Sequence, residues 1–261
     1  MSNSLQSNSP GGVPMFRGID LSGTLCESSY QFSPDLSNLQ QWFSTPRLQK
    51  YATASEPIAL YQWNTELSKA FLVEVEHVEV LLRNFIHARM TADAGTEFWF
   101  DCCQDSPLVQ CKNRYPFNNP FKNSIRKVKR RLSNQSPGSN PTAGAIVAEL
   151  SLDNWRFLLA RRLEATIWRA LVNPHNGGMP FYRERRRSIF EDDVETIRKL
   201  RNRASHQESF IVEPRLTWDE VIRIEQYQRA LFDTARRINP EAAAWIQKIT
   251  PVQAVLQRRP R

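Results

Sequence analysis

Residues 55–95 read SEPIALYQWNTELSKAFLVEVEHVEVLLRNFIHARMTADAG, and this stretch decides the fold class. Leu60, Trp63, Leu67, Phe71, Val75, Val78, Leu82 and Phe85 recur at steps of three and four, the period that keeps apolar side chains on one helix face. Ser55 with Pro57 supplies a start signal and Gly95 a stop. Upstream, Ser33-Pro34 and Thr45-Pro46 each set a capping residue before a proline at a first helical position. Downstream, Asn119-Pro120 opens a basic helix expected to end near Leu132, and Trp155, Leu159, Leu163, Ile167 and Leu171 mark another amphipathic helix. Ser188-x-x-Glu191 and Thr217-x-x-Glu220 read as capping boxes, and Asn239-Pro240 begins a last short helix containing Trp245. Only Glu97 to Phe100 suggests a strand, and it has no obvious partner. The expectation is an all-α fold, a bundle of long amphipathic helices with short satellites.

Composition agrees with that class. The chain has 261 residues, 41% of them hydrophobic, which suffices for a substantial core, and its nine glycines are few for a turn-rich β-sandwich or barrel. Residues 1–33, rich in Ser, Asn, Gly, Pro and Gln, are expected to form a disordered or loosely attached arm, with one helical domain over residues 34–261 and a basic insertion near 112–144. No apolar run approaches the roughly 20 residues of a membrane span, and Met1 to Phe16 lacks the pattern of a signal peptide. Cys26, Cys102, Cys103 and Cys111 read neither as a disulfide framework nor as a paired zinc site, so the expected location is cytoplasmic.

The charge is uneven. A net charge of +8 rests on 27 Arg and 8 Lys, and arginine is the side chain that grips phosphate bidentately and stacks on bases. Lys112 to Arg131 holds eight basic residues and no acid: Lys112, Arg114, Lys122, Arg126, Lys127, Lys129, Arg130 and Arg131. Tyr115, Phe117 and Phe121 interleave with them, a pattern suited to single-stranded nucleic acid. The same residues also fit an exposed helix face whose aromatics anchor it to the core. Arg183, Arg185, Arg186 and Arg187 form a second, less specific cluster beside Phe181 and Tyr182.

Phosphate-binding glycine loops, H-E-x-x-H and G-x-S-x-G are absent, and His77, His87, His175 and His206 sit in no metal-ligand spacing, so no cofactor or metal is expected. The informative stretch is Lys199 to Glu208, KLRNRASHQE. On a helix, Asn202 and His206 lie about 40° apart on one face. Arg201 falls within the apolar stripe of Phe190, Val194, Ile197 and Ala204, where a guanidinium requires a carboxylate or a polar cleft. Spacing alone favours an Arg201 that snorkels to solvent and a His206 that closes the helix.

Leu200-Arg201-Asn202-Arg203-Ala204-Ser205-His206 resembles the R-N-x-x-x-H signature of HEPN domains, in the form carried by bacterial Abi-like (abortive infection) proteins. Ala59 to Asn64, Val78 to Asn84, Trp155 to Leu171 and the closing Arg258-Arg259-Pro260 are similar to the same family, so the likeness covers roughly residue 36 to the end. The resemblance implies a HEPN helical bundle and metal-independent endoribonuclease activity in anti-phage defence or as a toxin, with RNA as substrate and an antitoxin or defence-system partner. Arg201, Asn202 and His206 would then be catalytic. Beside the resemblance, Glu79 and Arg83 lie four apart on the first long helix and fit a solvated salt bridge there. Glu79, or Glu76 one turn earlier, also fits a reach to Arg201 across the bundle; Glu79, Arg83 and Glu208 are the candidate supporting residues. Cleavage would leave a 2′,3′-cyclic phosphate and a 5′-OH. It further implies a homodimer in which two motif helices meet across a two-fold axis, so that one motif per chain supplies both acid and base. A non-catalytic HEPN module that binds RNA or a nucleotide and regulates a partner is the alternative. A DNA-binding regulator fits less well, since no helix-turn-helix stands out.

Overall fold

The computed structural model describes residues 33–106, 111–136 and 138–260; the arm expected over residues 1–33 lies, but for its last residue, outside them. Eleven α-helices follow one another among the described residues: α1 Leu36–Phe43, α2 Thr45–Leu48, α3 Pro57–Ala94, α4 Asn119–Gln135, α5 Ala143–Ala148, α6 Leu152–Leu158, α7 Arg169–Leu171, α8 Arg187–Ser205, α9 Trp218–Ile238, α10 Pro240–Ile249 and α11 Val252–Leu256. There is no strand among these residues, only an isolated bridge between Cys103 and Tyr115. The fold is all-α.

The centre is α3, 38 residues long, begun by Pro57 and ended by Gly95 in the left-handed region at φ 76°. Leu60, Leu67, Phe71, Val78 and Leu82 are fully buried along one face, which Ile86 and Met90 extend. The helices α8 and α9 pack on this face and on each other; α10 lies on α9, and α11 returns to α3. There the Trp63 Nε1 donates to the carbonyl of Val255 at 2.8 Å. Near the carboxyl end, Glu220 is wholly buried and takes the Arg259 guanidinium through both carboxylate oxygens, at 2.9 and 3.2 Å.

Several local expectations are corrected. Helix α1 is capped by Asp35, which accepts from the Asn38 amide at 2.9 Å, so the start lies two residues beyond Ser33. Thr217 does cap α9, accepting from the Glu220 amide at 3.3 Å, but the Glu220 side chain is spent on Arg259. Ser188 caps nothing, because α8 already starts at Arg187. Arg187 is buried and bound by Glu164, Glu191 and the carbonyl of Leu159, so tertiary pairing rather than a capping side chain sets this helix start. The second arginine cluster is therefore partly structural.

The helix expected from Trp155 to Leu171 is broken at Leu159–Ala160 and resumes through a 3₁₀ turn, Arg161–Leu163, and a π-helical turn, Glu164–Trp168, into α7. Its apolar residues recur every four, and in a uniform α-helix each such step drifts by about 40°. The break and the wider π turn absorb the drift, so Trp155, Leu159, Leu163, Ile167 and Leu171 are all fully buried. Glu97 to Phe100 is likewise not a strand but a turn leading into the 3₁₀ turn Trp99–Asp101. Trp99 there meets Phe117 at 6.1 Å and Phe121 at 6.3 Å. The same region holds one disulfide, Cys102–Cys111, where the sequence suggested none. Tyr115 and Lys112 bring its ends together, their amides donating to the carbonyls of Cys102 at 2.7 Å and Ala94 at 2.9 Å.

Candidate functional site

The motif Arg201, Asn202 and His206 occupies the last turn of α8 and its cap. The helix closes through paired backbone bonds, from the Gln207 amide to the Ala204 carbonyl at 3.1 Å and from the Glu208 amide to the Arg203 carbonyl at 2.8 Å. Gln207 takes the left-handed conformation, φ 51°, that this closure requires. The His206 amide donates to the Asn202 carbonyl at 3.0 Å, tying the two motif residues through the backbone.

Tertiary contacts then hold the segment in place. Phe210 is fully buried, stacked on Phe71 at 5.3 Å, and its amide donates to the side-chain oxygen of the buried Asn64 at 2.8 Å. Tyr51, preceding α3, shares a hydrogen bond with Ser209. Arg203 folds back to the Ser209 carbonyl and lies 3.9 Å from Glu208. Asn64 and Phe210 position the motif, yet no motif marks them; a polar residue inside an apolar helix face was the available signal at Asn64.

Arg201 is half-buried and donates to the Asn202 side-chain oxygen at 3.4 Å. It faces α3, where Glu79 lies within its electrostatic reach. Burial pushes the Glu79 carboxyl above its ordinary range, while Arg201, Arg83 and the Leu152 amide at the start of α6 pull it back. Arg83 itself donates to the carbonyl of Ala148 at 3.3 Å. The structure thus brings together Arg201, Asn202, Glu79 and Arg83, and leaves Glu76 exposed on another face of α3. His206 is exposed and makes no side-chain hydrogen bond among the described residues. Glu208 turns away to Arg203. Chemically, the arrangement is a partly desolvated guanidinium with a half-buried carboxyl behind it, and an exposed imidazole five residues further along the chain.

The other histidines lie elsewhere. His87 accepts from Trp99 Nε1 through Nδ1 at 3.0 Å, and burial holds its pKa below the ordinary value. His77 rests edge-on to Trp245 at 5.3 Å, and His175 is exposed in its turn. No group of three His, Cys, Asp or Glu among the described residues is placed to hold a metal ion. No helix among them is long and apolar enough to cross a membrane.

The basic segment looks different in space than in sequence. Tyr115, Phe117 and Phe121 are buried, so they anchor α4 and offer no stacking surface. Acids from neighbouring segments meet three of its cations: Asp105 on Lys122 and Asp101 on Lys129, each at 2.6 Å, and Glu149 on Arg131. Arg126 donates to Asn123 at 2.9 Å. Lys127 and Arg130 are exposed and join no ion pair among the described residues. The helix packs on α5 and α6, the latter the helix whose start touches Glu79.

No family model, curated protein or solved structure matches the chain.

Proposed function

We propose that the chain is a metal-independent endoribonuclease of the HEPN kind, acting in abortive-infection defence or as a toxin held by an antitoxin partner. The supporting observation is the half-buried Arg201, hydrogen-bonded to Asn202 and backed by Glu79, five residues before an exposed His206 whose backbone is locked by the helix closure. Breaking RNA without a metal requires a base to take the 2′-OH proton, so that this oxygen attacks phosphorus. An acid must then give a proton to the departing 5′-oxygen, and a cation must meet the charge of the crowded phosphorane. The imidazole of His206 serves one of the proton steps. Arg201 meets the phosphorane charge, and Glu79 offsets the cost of its partial burial. Asn202 orients Arg201 through their shared hydrogen bond. Lys127 and Arg130, with Arg126, hold the RNA backbone.

One histidine per motif leaves the second proton role open, so the reading includes a homodimer in which His206 of each copy takes one role. Its expected mass in light scattering is about 60 kDa, twice the 30.3 kDa of the chain.

Purified protein incubated with total RNA in EDTA, beside His206→Ala, tests the chemistry. The expected result is cleavage to cyclic-phosphate ends by the wild type and a loss of roughly 10²–10⁴-fold in the variant. Cleavage abolished by the chelator, or equal in both proteins, refutes the assignment. Mixing wild type with His206→Ala tests the shared site: activity falling only in proportion to dilution refutes the dimer.

A further inference from the structure

A groove of about 530 Å³ opens at the closed end of α8, between α1, α2 and α3. Its geometry begins at Ser44, whose φ of 77° joins α1 to α2 in a sharp turn and carries the last two residues of α1 outward. Trp42 is 51% exposed and Phe43 48%. The Phe43 ring stacks on Tyr61 of α3 at 6.1 Å with planes 27° apart, and the Tyr61 ring in turn meets Tyr51 edge-on at 5.5 Å. Gln41 from α1, Arg47 from α2 and Gln207 from the α8 closure complete the lining.

The chemistry of this lining is selective. Its apolar lining is aromatic, Trp42, Phe43 and Tyr61, set among polar residues with no aliphatic one, so the groove offers flat faces and no socket for a branched apolar side chain. Its one charged lining residue is the exposed Arg47, with no carboxylate opposite. Flat π-faces beside a guanidinium and an amide fit a purine or pyrimidine with its phosphate, where rings stack the base and the cation meets the backbone. The position is equally particular. Gln207 directly follows His206, and Tyr51, edge-on to the lining residue Tyr61, shares its hydrogen bond with Ser209 of the same segment.

We infer that this groove is a nucleotide subsite for a single-stranded RNA substrate, stacking an unpaired base next to the phosphate presented to Arg201 and His206. The inference rests on the endoribonuclease reading for its substrate. It also explains why a glutamine, with its side chain in the groove wall, stands at a backbone position that favours glycine. A strand with paired bases offers no free face to Phe43, so the subsite selects unpaired RNA.

The test measures binding in the His206→Ala background, where no cleavage intervenes, with a fluorescent oligouridine and a duplex of equal length. Phe43→Ala is expected to weaken oligouridine binding by roughly five- to a hundred-fold and duplex binding little. Phe43→Trp is expected to restore it, and Arg47→Glu to weaken binding and lower its salt dependence. Equal affinity of the parent and Phe43→Ala overturns the inference, and so does a loss that Phe43→Trp leaves unrepaired while the melting temperature is unchanged. Should Phe43→Ala not fold, the Arg47→Glu salt dependence decides, an unchanged slope overturning the inference. These outcomes are independent of catalysis. A wild type that binds through Phe43 but does not cut RNA refutes the nuclease reading alone.

Discussion

Glu74 offers the sharpest quantitative test of the packing. It sits on α3 at 1% exposure, in a place where its neighbours give it one hydroxyl donor, Thr250, and leave its second oxygen buried without a partner. No cation offsets the charge among the described residues, so burial raises the carboxyl from 4.5 to about 7 against the opposing hydrogen bond from Thr250. The native state therefore holds a proton here that the unfolded chain releases above pH 4.5. Stability is then fully present below the unfolded value and is lost as pH rises through the folded one. At about 1.36 kcal/mol per pH unit between the two values, the loss amounts to roughly 3 kcal/mol, most of it between pH 5 and 8. Urea unfolding of wild type and Glu74→Gln across that range is the assay, since Gln keeps the shape and cannot ionise. The variant is expected to gain on the wild type as pH rises, by roughly 2–3 kcal/mol at pH 8 relative to pH 5. A wild type-to-variant difference that stays constant with pH refutes the reasoning.

Three further outcomes are expected. Arg259→Met strands the wholly buried Glu220 and should cost roughly 3–5 kcal/mol in urea unfolding, with much of the loss recovered in the Glu220→Leu/Arg259→Met double variant; a purely additive double variant contradicts this. Gln207→Gly relieves the left-handed backbone at φ 51° and should raise stability by about 1 kcal/mol, so a lower melting temperature contradicts the strain. Charge reversal at Lys127 and Arg130 should lower the log–log salt slope of single-strand RNA binding by about 0.7 for each phosphate no longer neutralised, leaving the fold intact; an unchanged slope removes α4 from the RNA surface.

The long helix was legible because its period of three and four over residues 60–85 admits only one regular structure, and Pro57 and Gly95 bound it as read. The motif was legible as spacing, and Glu79 lies within electrostatic reach of the half-buried Arg201. What escaped was set by residues distant in sequence. Asp101, Asp105 and Glu149 lie outside the basic run, so no count within Lys112 to Arg131 reveals the pairing of Lys122, Lys129 and Arg131. Ser188 has the local pattern of a cap, yet the buried Arg187 pairs outweigh it. The stacking surface of Phe43 depends on the unusual backbone of Ser44, for which serine carries no signal.

The phase of α3 has a consequence for how such a chain can change. Tyr61 serves the aromatic groove, Asn64 the segment after the motif, and Glu79 the guanidinium, all from one uninterrupted rod. An inserted residue between Asn64 and Glu79 turns everything beyond it by about 100° and advances it by about 1.5 Å. Glu79 would then swing away from Arg201 while Asn64 stayed on Phe210. A lengthening of this helix is tolerable only near its ends, whereas the stretch between α4 and α5 can absorb added residues without moving either partner of the site. Insertions and deletions should therefore fall in residues 138–142 and be purged from residues 65–78, a contrast that a library of single-codon insertions scored for folding would read directly.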